Sequence, residues 1–153
     1  MEGLNVLYSK TVALLKEGMT AAEYVNQAGR EIVNQRAHIN TLLNQLDQNN
    51  RLDAYDTSGE RTQKMRRDQL HRALVPIATY IQDSIHDQAS LTRAQEQLDA
   101  VSHGFTYSYY GTPYTIAPRT DSEKGLVALM RTLAATTYNY KVLMAMDAPL
   151  AGI

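Results

Sequence analysis

Two long runs of apolar residues at heptad spacing restrict this chain to helical folds. In the first run, steps of three and four residues mark one side of a predicted helix over residues 21–52: Val25, Ala28, Ile32, Gln35, Ile39, Leu42, Leu46 and Asn49. At about 1.5 Å per residue, such a helix would be roughly 50 Å long. Because an amphipathic helix owes its stability to burial of its apolar stripe, this seam must pack against another helix.

The second run predicts that partner helix over residues 60–102. Its heptad positions are Leu70, Leu74, Ile77, Ile81, Ser84, Gln88, Leu91, Gln95 and Leu98. Pro76 lies inside the run, and a proline removes a backbone hydrogen bond, so we expect a kink or a split near residue 76. A new helix start near Ser90 would divide the region into two or three pieces.

The short segment "DAYDTSG" between these runs predicts an antiparallel helical hairpin. Shorter helices are predicted at 4–17 and at 122–146, where they can pack against the hairpin. With 153 residues, the chain has the size of one domain. We therefore expect a single all-α domain over residues 1–153, an elongated bundle of about four helices.

The pattern Thr-x-x-Glu occurs where three of these helices should begin. In such a capping box, the threonine hydroxyl accepts from the backbone N–H three residues on, and the glutamate accepts from the backbone N–H of the threonine. The three predicted pairs are Thr20 with Glu23, Thr57 with Glu60, and Thr120 with Glu123.

A Tyr-rich segment over residues 104–119 departs from the helical pattern. It contains five of the eleven aromatic residues of the chain: Phe105, Tyr107, Tyr109, Tyr110 and Tyr114. Aromatic and hydroxyl residues alternate, and Gly111-Thr112-Pro113 is typical of a turn, so the segment predicts a β-hairpin or loop. The five aromatic residues could form a partner interface, seal one end of their own bundle, or stack on nucleobases.

The first long helix is rich in amide side chains, with ten Asn or Gln residues between 26 and 50. They could form a solvated, uncharged face of the helix. Alternatively, seam amides such as Gln35 and Asn49 could fix the register of helix–helix contacts. The low charge also reduces the repulsion between neighbouring copies.

A basic stretch, "RTQKMRRDQLHR", contains five basic residues and one acidic residue over positions 61–72. Its predicted basic stripe consists of Lys64, Arg66, Arg67 and Arg72. We expect ion pairs with the acidic flanking segments, within the chain or between subunits. Phosphate binding is the alternative.

The sequence contains no recognisable catalytic, cofactor or metal motif. Without cysteine, thiolate chemistry is excluded, and the four histidines show no ligand spacing beyond the single pair Asp83 and His86. No nucleophile elbow, phosphate-binding loop or zinc-protease motif occurs. We therefore expect no enzymatic activity and no cofactor.

These features together favour a non-enzymatic structural or assembly protein, such as a component of a virion, filament or secretion apparatus. Its partners would be further copies or other protein subunits. The alternative is a small regulatory or nucleic-acid-associated protein that uses residues 61–72, and a bundle carrying an apolar ligand near its methionines is a third class. With a net charge of −1, no cleavable signal pattern and no span of roughly 20 apolar residues, we expect a soluble protein made in the cytoplasm. Incorporation into a virion or export without a cleaved signal would be compatible with this sequence.

Overall fold

A computed structural model describes residues 21–48 and 60–145 of the chain. This part contains four helices and one β-hairpin: α1 (Ala21–Gln48), α2 (Glu60–Asp83), α3 (Gln88–His103), β1 (Phe105–Tyr109), β2 (Thr112–Ile116) and α4 (Asp121–Ala145). The all-α class and the small hairpin before the last helix confirm the predicted fold class. The predicted helix 4–17, the last residues of the predicted helix 21–52 and the segment 49–59 lie outside the described residues.

The helices α1 and α2 run antiparallel, as the short predicted connection requires. Near the carboxyl end of α2, the carbonyl oxygen of Gln82 accepts a hydrogen bond of 2.5 Å from the guanidinium of Arg36. At the other end of the pair, Leu46 of α1 and Arg67 of α2 line one cleft. The Arg36 bond satisfies one of the carbonyl groups that the last turn of a helix leaves without an internal partner.

The helix α3 packs antiparallel to both α2 and α4. Near the turn between α2 and α3, the guanidinium of Arg93 lies over the ring of Tyr80, 5.4 Å from its centroid. Farther along α3, Asp99 forms an ion pair of 2.6 Å with Arg131 of α4. The side chains of Arg131 and Asp99 are 39% and 55% exposed, so the pair orients the helices more than it stabilises them.

The helix α4 closes the bundle by packing against α1. Tyr24 in the first turn of α1 shares a hydrogen bond with Asn139, near the carboxyl end of α4. Leu42 and Leu126 line one cleft at the opposite end of the two helices. The four described helices therefore form an up-down-up-down bundle, in which the β-hairpin occupies the connection between α3 and α4.

One apolar core runs through this bundle and contains residues from every described helix and from β2. Four of the predicted seam residues are buried: Ala28, Ile32, Ile39 and Leu46. Leu43 takes a core position that the heptad pattern gave to Leu42, which is only partly buried. This shift of one residue follows from the helical period of 3.6, which drifts against a strict heptad.

The split in the region 60–102 lies at residues 84–87 and not at Pro76. The helix α2 continues through Pro76, which is exposed, and Leu74 before it and Ile77 after it are buried in the core. Of the kink or split expected at Pro76, a split does not occur, because core packing on both sides of the proline outweighs the loss of one backbone hydrogen bond. The kink stays a prediction.

The start of α3 is fixed by a capping box with the pattern Asp-x-x-Ser, which differs from the pattern Thr-x-x-Glu. The carboxylate of Asp87 accepts from the backbone N–H of Ser90 at 2.8 Å. The hydroxyl of Ser90 in turn accepts from the backbone N–H of Asp87 at 3.0 Å. This reciprocal pair satisfies two backbone donors, so the helix begins at Gln88, two residues before the predicted start.

The start of α4 confirms the predicted capping box of Thr120 and Glu123. The backbone N–H of Glu123 donates to the Thr120 hydroxyl at 3.1 Å, and the Glu123 carboxylate accepts from the backbone N–H of Thr120 at 3.2 Å. The other two predicted boxes, Thr20 with Glu23 and Thr57 with Glu60, include residues outside the described part of the chain.

Two glycines make the hairpin possible. Gly104 ends α3 with φ of 101°, and a Cβ atom there would lie 2.9 Å from Cγ2 of Thr115. Gly111 has φ of 81° and follows Tyr110 with φ of 50°. Two successive residues with positive φ are typical of the type I′ turn. The turn is therefore Tyr110-Gly111, and the predicted turn residues Thr112 and Pro113 belong to β2.

Candidate functional site

The antiparallel pairing of β1 and β2 gives the hairpin two different faces. The face toward the bundle consists of the opposed pairs Phe105–Ile116, Tyr107–Tyr114 and Tyr109–Thr112. The outer face consists of Thr106 opposite Thr115 and Ser108 opposite Pro113, and all four of these residues are exposed. Alternation along each strand thus separates an aromatic face from a hydroxyl-rich one.

Four of the five predicted interface residues belong to the face toward the bundle. Phe105, Tyr107, Tyr109 and Tyr114 are partly buried and pack against the core. An isolated hairpin of two strands is marginal in water, so these contacts anchor it. These positions favour the interpretation in which the aromatic residues seal one end of their own bundle.

Tyr110 differs from the other four aromatic residues, because 89% of its surface is exposed. It occupies the first turn position, with its ring against Tyr109 in an edge-to-face arrangement at 4.6 Å between centroids. A tyrosine with positive φ is uncommon, since its Cβ atom crowds the backbone in that conformation. The turn therefore places a large aromatic side chain in solvent in spite of a local conformational cost.

Arg66 of α2 fastens the hairpin to the bundle. Its Nη1 atom donates to the carbonyl oxygen of Thr115 at 3.1 Å, and its guanidinium lies 5.4 Å from the ring centroid of Tyr114. Arg66 and Thr115 are 49 positions apart. Sequence reasoning placed Arg66 in the basic stripe and missed this role, because no local spacing connects residues so far apart.

The predicted basic stripe is engaged within the chain. Arg72 forms an ion pair of 2.9 Å with Asp68, one turn earlier on α2. Arg66 binds the hairpin, and Lys64 and Arg67 also interact with neighbouring groups. The stretch therefore presents less unpaired charge than its composition indicates.

The predicted seam residues line the interior of the bundle. Four of them are buried: Ala28, Ile32, Ile39 and Leu46. Val25, Gln35 and Leu42 are partly buried, and Asn49 lies outside the described residues. Most amides of α1 are exposed and form a solvated face: Asn26, Gln27, Asn34, Asn40, Asn44 and Gln45. Asn40 also accepts a hydrogen bond of 3.4 Å from Gln82 of α2.

A shallow cleft between α1 and α4 is a second candidate surface. It has a volume of about 450 Å³ and is lined by apolar and polar residues: Val25, Asn26, Gly29, Arg30, Val33, Asn34 and Tyr140. Val33 is 66% exposed at its edge. Close to this cleft, burial raises the pKa of Tyr24, although a hydrogen bond with Asn139 opposes the shift.

The histidines do not form a metal centre within residues 21–48 and 60–145. No group of three or more His, Cys, Asp or Glu side chains in these ranges could hold a metal ion. The imidazole of His86, which sequence spacing paired with Asp83, lies 3.3 Å from the carboxylate of Asp87 and 2.8 Å from the carbonyl oxygen of Ser84. Of the methionines, Met65 and Met130 are buried in the core.

No protein-family model, curated protein or solved structure matches this chain. Within the described ranges, no helix has both the length and the apolar character needed to cross a membrane. The hairpin, with its exposed Tyr110 and its contact with Arg66, is the best-defined candidate site.

Proposed function

We propose that this chain is a non-enzymatic assembly protein that associates with further copies of itself through the Tyr-rich hairpin. The observation that carries the proposal is Tyr110, an exposed tyrosine with positive φ on a hairpin that Arg66 fastens to the bundle. Tyrosine provides a large amphipathic contact area with few rotatable bonds. Because the hairpin is already held against the bundle, less conformational entropy is lost on binding.

In this proposal, the predicted helical seam does not form the contact between copies. Because Ile32, Ile39 and Leu46 are buried inside the chain's own bundle, their side chains are occupied in the folded subunit. The proposed contact surface is therefore the hairpin rather than the seam. The half-buried aromatic residues would hold the hairpin in place, and the exposed residues would meet the partner.

The test compares Tyr110→Asn with the unmodified chain by light scattering after size exclusion, over a wide concentration range. Asparagine tolerates positive φ in the turn, so it removes the ring and leaves the hairpin intact. We expect the unmodified chain to form a defined oligomer. Tyr110→Asn should weaken association by about 30-fold, which corresponds to roughly 2 kcal/mol of binding free energy lost when an interface tyrosine is removed.

Val33→Asn is the matched control, because it removes another exposed apolar side chain far from the hairpin. It should associate as the unmodified chain does. A chain that stays monomeric at every concentration, or an oligomer that Tyr110→Asn does not weaken, would contradict the proposal.

Binding of nucleic acid through residues 61–72 remains the alternative function. Salt-dependent binding to DNA or RNA that is lost in the triple variant Arg66→Ala, Arg67→Ala, Arg72→Ala would favour it, since phosphate contacts release counterions. The Arg72–Asp68 pair and the Arg66 contact with the hairpin support the assembly proposal instead.

A further inference from the structure

The two outer edges of the hairpin differ in what they offer to another strand. A two-residue turn makes Tyr109 and Thr112 a hydrogen-bonded pair, and such pairs alternate along an antiparallel ladder. The backbone groups of the alternate residues therefore point outward. On β1 these residues are Thr106 and Ser108, and on β2 they are Pro113 and Thr115.

The edge of β2 is blocked against pairing with another strand. Pro113 has no backbone N–H, and the carbonyl oxygen of Thr115 already accepts a hydrogen bond from Arg66. Proline and a covering side chain are devices by which proteins prevent a sheet edge from pairing with another strand.

Within the described residues, neither a proline nor a covering side chain protects the edge of β1. Its sequence, "FTYSY", contains no proline and no charged residue. Thr106 and Ser108 are exposed, and the described sheet consists of β1 and β2 alone. Two outward N–H groups and two outward carbonyl groups are therefore available on this edge.

We propose that the β1 edge pairs antiparallel with the β1 edge of a second copy, which joins two hairpins into a sheet of four strands. This inference rests on the proposed self-association and names its contact. Around a two-fold axis at Tyr107, Thr106 of one copy lies opposite Ser108 of the other. Each such pair exchanges two hydrogen bonds, so the junction contains four.

A second copy fits this edge better than a charged partner, because the edge is complementary to itself. Its donors and acceptors match under two-fold rotation, and an uncharged strand meets its own copy without repulsion between like charges. The axis is perpendicular to the sheet, so the two bundles lie on the same side of it. In each copy, α2 approaches β2, the strand away from the junction.

The absence of cysteine permits a direct test by disulfide cross-linking. The variants Thr106→Cys and Ser108→Cys are oxidised separately and as a mixture. Opposed residues of a hydrogen-bonded pair have Cα atoms about 5.5 Å apart, within the range for a disulfide. Residues of the same number lie farther apart across the axis, so we expect covalent dimers from the mixture and few from either variant alone.

The matched control uses the blocked edge of β2. A mixture of Pro113→Cys and Thr115→Cys should give no more covalent dimer than either variant alone. A second variant, Ser108→Pro, removes one outward N–H without disturbing the internal ladder, in the way that Pro113 does on β2. In the proposed junction it removes two of the four hydrogen bonds, so it should lower association by about tenfold or more.

Failure of this inference can be separated from failure of the proposed function. An unmodified chain that associates, while the first mixture gives no excess of covalent dimer and Ser108→Pro associates normally, overturns the β1 pairing and leaves self-association standing. A chain that is monomeric throughout overturns both.

Discussion

Among single residues, Gln35 is the one polar side chain of the α1 seam within the described residues. It is partly buried, and its side-chain oxygen Oε1 is buried without a hydrogen-bond partner. A buried polar atom without a partner loses its hydration and gains nothing in exchange, at a cost of about 1–3 kcal/mol. The amide therefore weakens the fold where an apolar residue would strengthen it.

We predict that Gln35→Leu raises the free energy of unfolding by about 1–2 kcal/mol, because it removes the unpaired oxygen and adds apolar contact in the seam. Unfolding in urea measures the change. The neighbouring exposed position provides the control: Asn34→Leu should alter stability by less than about 0.5 kcal/mol. A less stable Gln35→Leu variant would show instead that the amide fixes the alignment of the helices.

At the scale of elements, the helices α3 and α4 each begin with a reciprocal capping box. Both boxes satisfy backbone donors that a helix cannot satisfy internally. In α3, the hydrogen bond from the backbone of Ser90, with a further one from its side chain, lowers the pKa of Asp87. The ionised carboxylate is therefore the form that stabilises the start of α3.

This pKa shift predicts a dependence on pH. The pKa of Asp87 is lower in the folded chain, so its stabilising contribution is complete above the ordinary aspartate pKa of about 3.9 and is lost as pH falls through the folded value. Asp87→Asn keeps a capping oxygen that does not titrate. The difference in urea midpoint between the unmodified chain and Asp87→Asn should therefore move in favour of the variant as pH falls from about 6 to below the ordinary aspartate pKa of about 3.9.

All other carboxylates are common to both chains and cancel in this comparison. A difference in midpoint that stays constant across the window would contradict the role of Asp87. Circular dichroism at 222 nm gives the midpoints for both chains at each pH.

The same elements show how far sequence reasoning reaches. Thr120 and Glu123 fixed the start of α4 because a capping box is a local device, with both partners three residues apart. The break after α2 was predicted to within two residues by the helix start near Ser90, which is also a local signal. The continuity of α2 through Pro76 was not predicted, because it depends on core contacts that local sequence does not contain. The contact between Arg66 and the hairpin was invisible for the same reason, since it joins distant parts of the chain.

For the molecule as a whole, stability depends on one core shared by the four described helices and β2. Helix α2 contributes buried side chains along its length, and successive residues on it differ sharply in burial. Leu74 is 0% exposed, whereas the adjacent Val75 is 37% exposed. The two residues form a natural comparison between a core position and a surface position of the same helix.

We predict that Leu74→Ala lowers the free energy of unfolding by about 2–5 kcal/mol, since it removes buried methyl groups and leaves a cavity among all the packed elements. Val75→Ala should lower the free energy of unfolding by less than about 1 kcal/mol, because the side chain of Val75 is partly solvated. Urea unfolding followed by circular dichroism and by tyrosine fluorescence measures both. Equal losses for the two variants would contradict the difference in burial between Leu74 and Val75.

The unequal edges of the hairpin determine how many copies this contact can join. In the terms of polymer chemistry, a unit with one reactive end is a chain terminator, and two such units give a product that grows no further. With β2 blocked by Pro113 and by Arg66, the hairpin has a functionality of one. Sheet growth through it would stop at a pair, and a filament or a shell would need a second, chemically different junction elsewhere on the subunit.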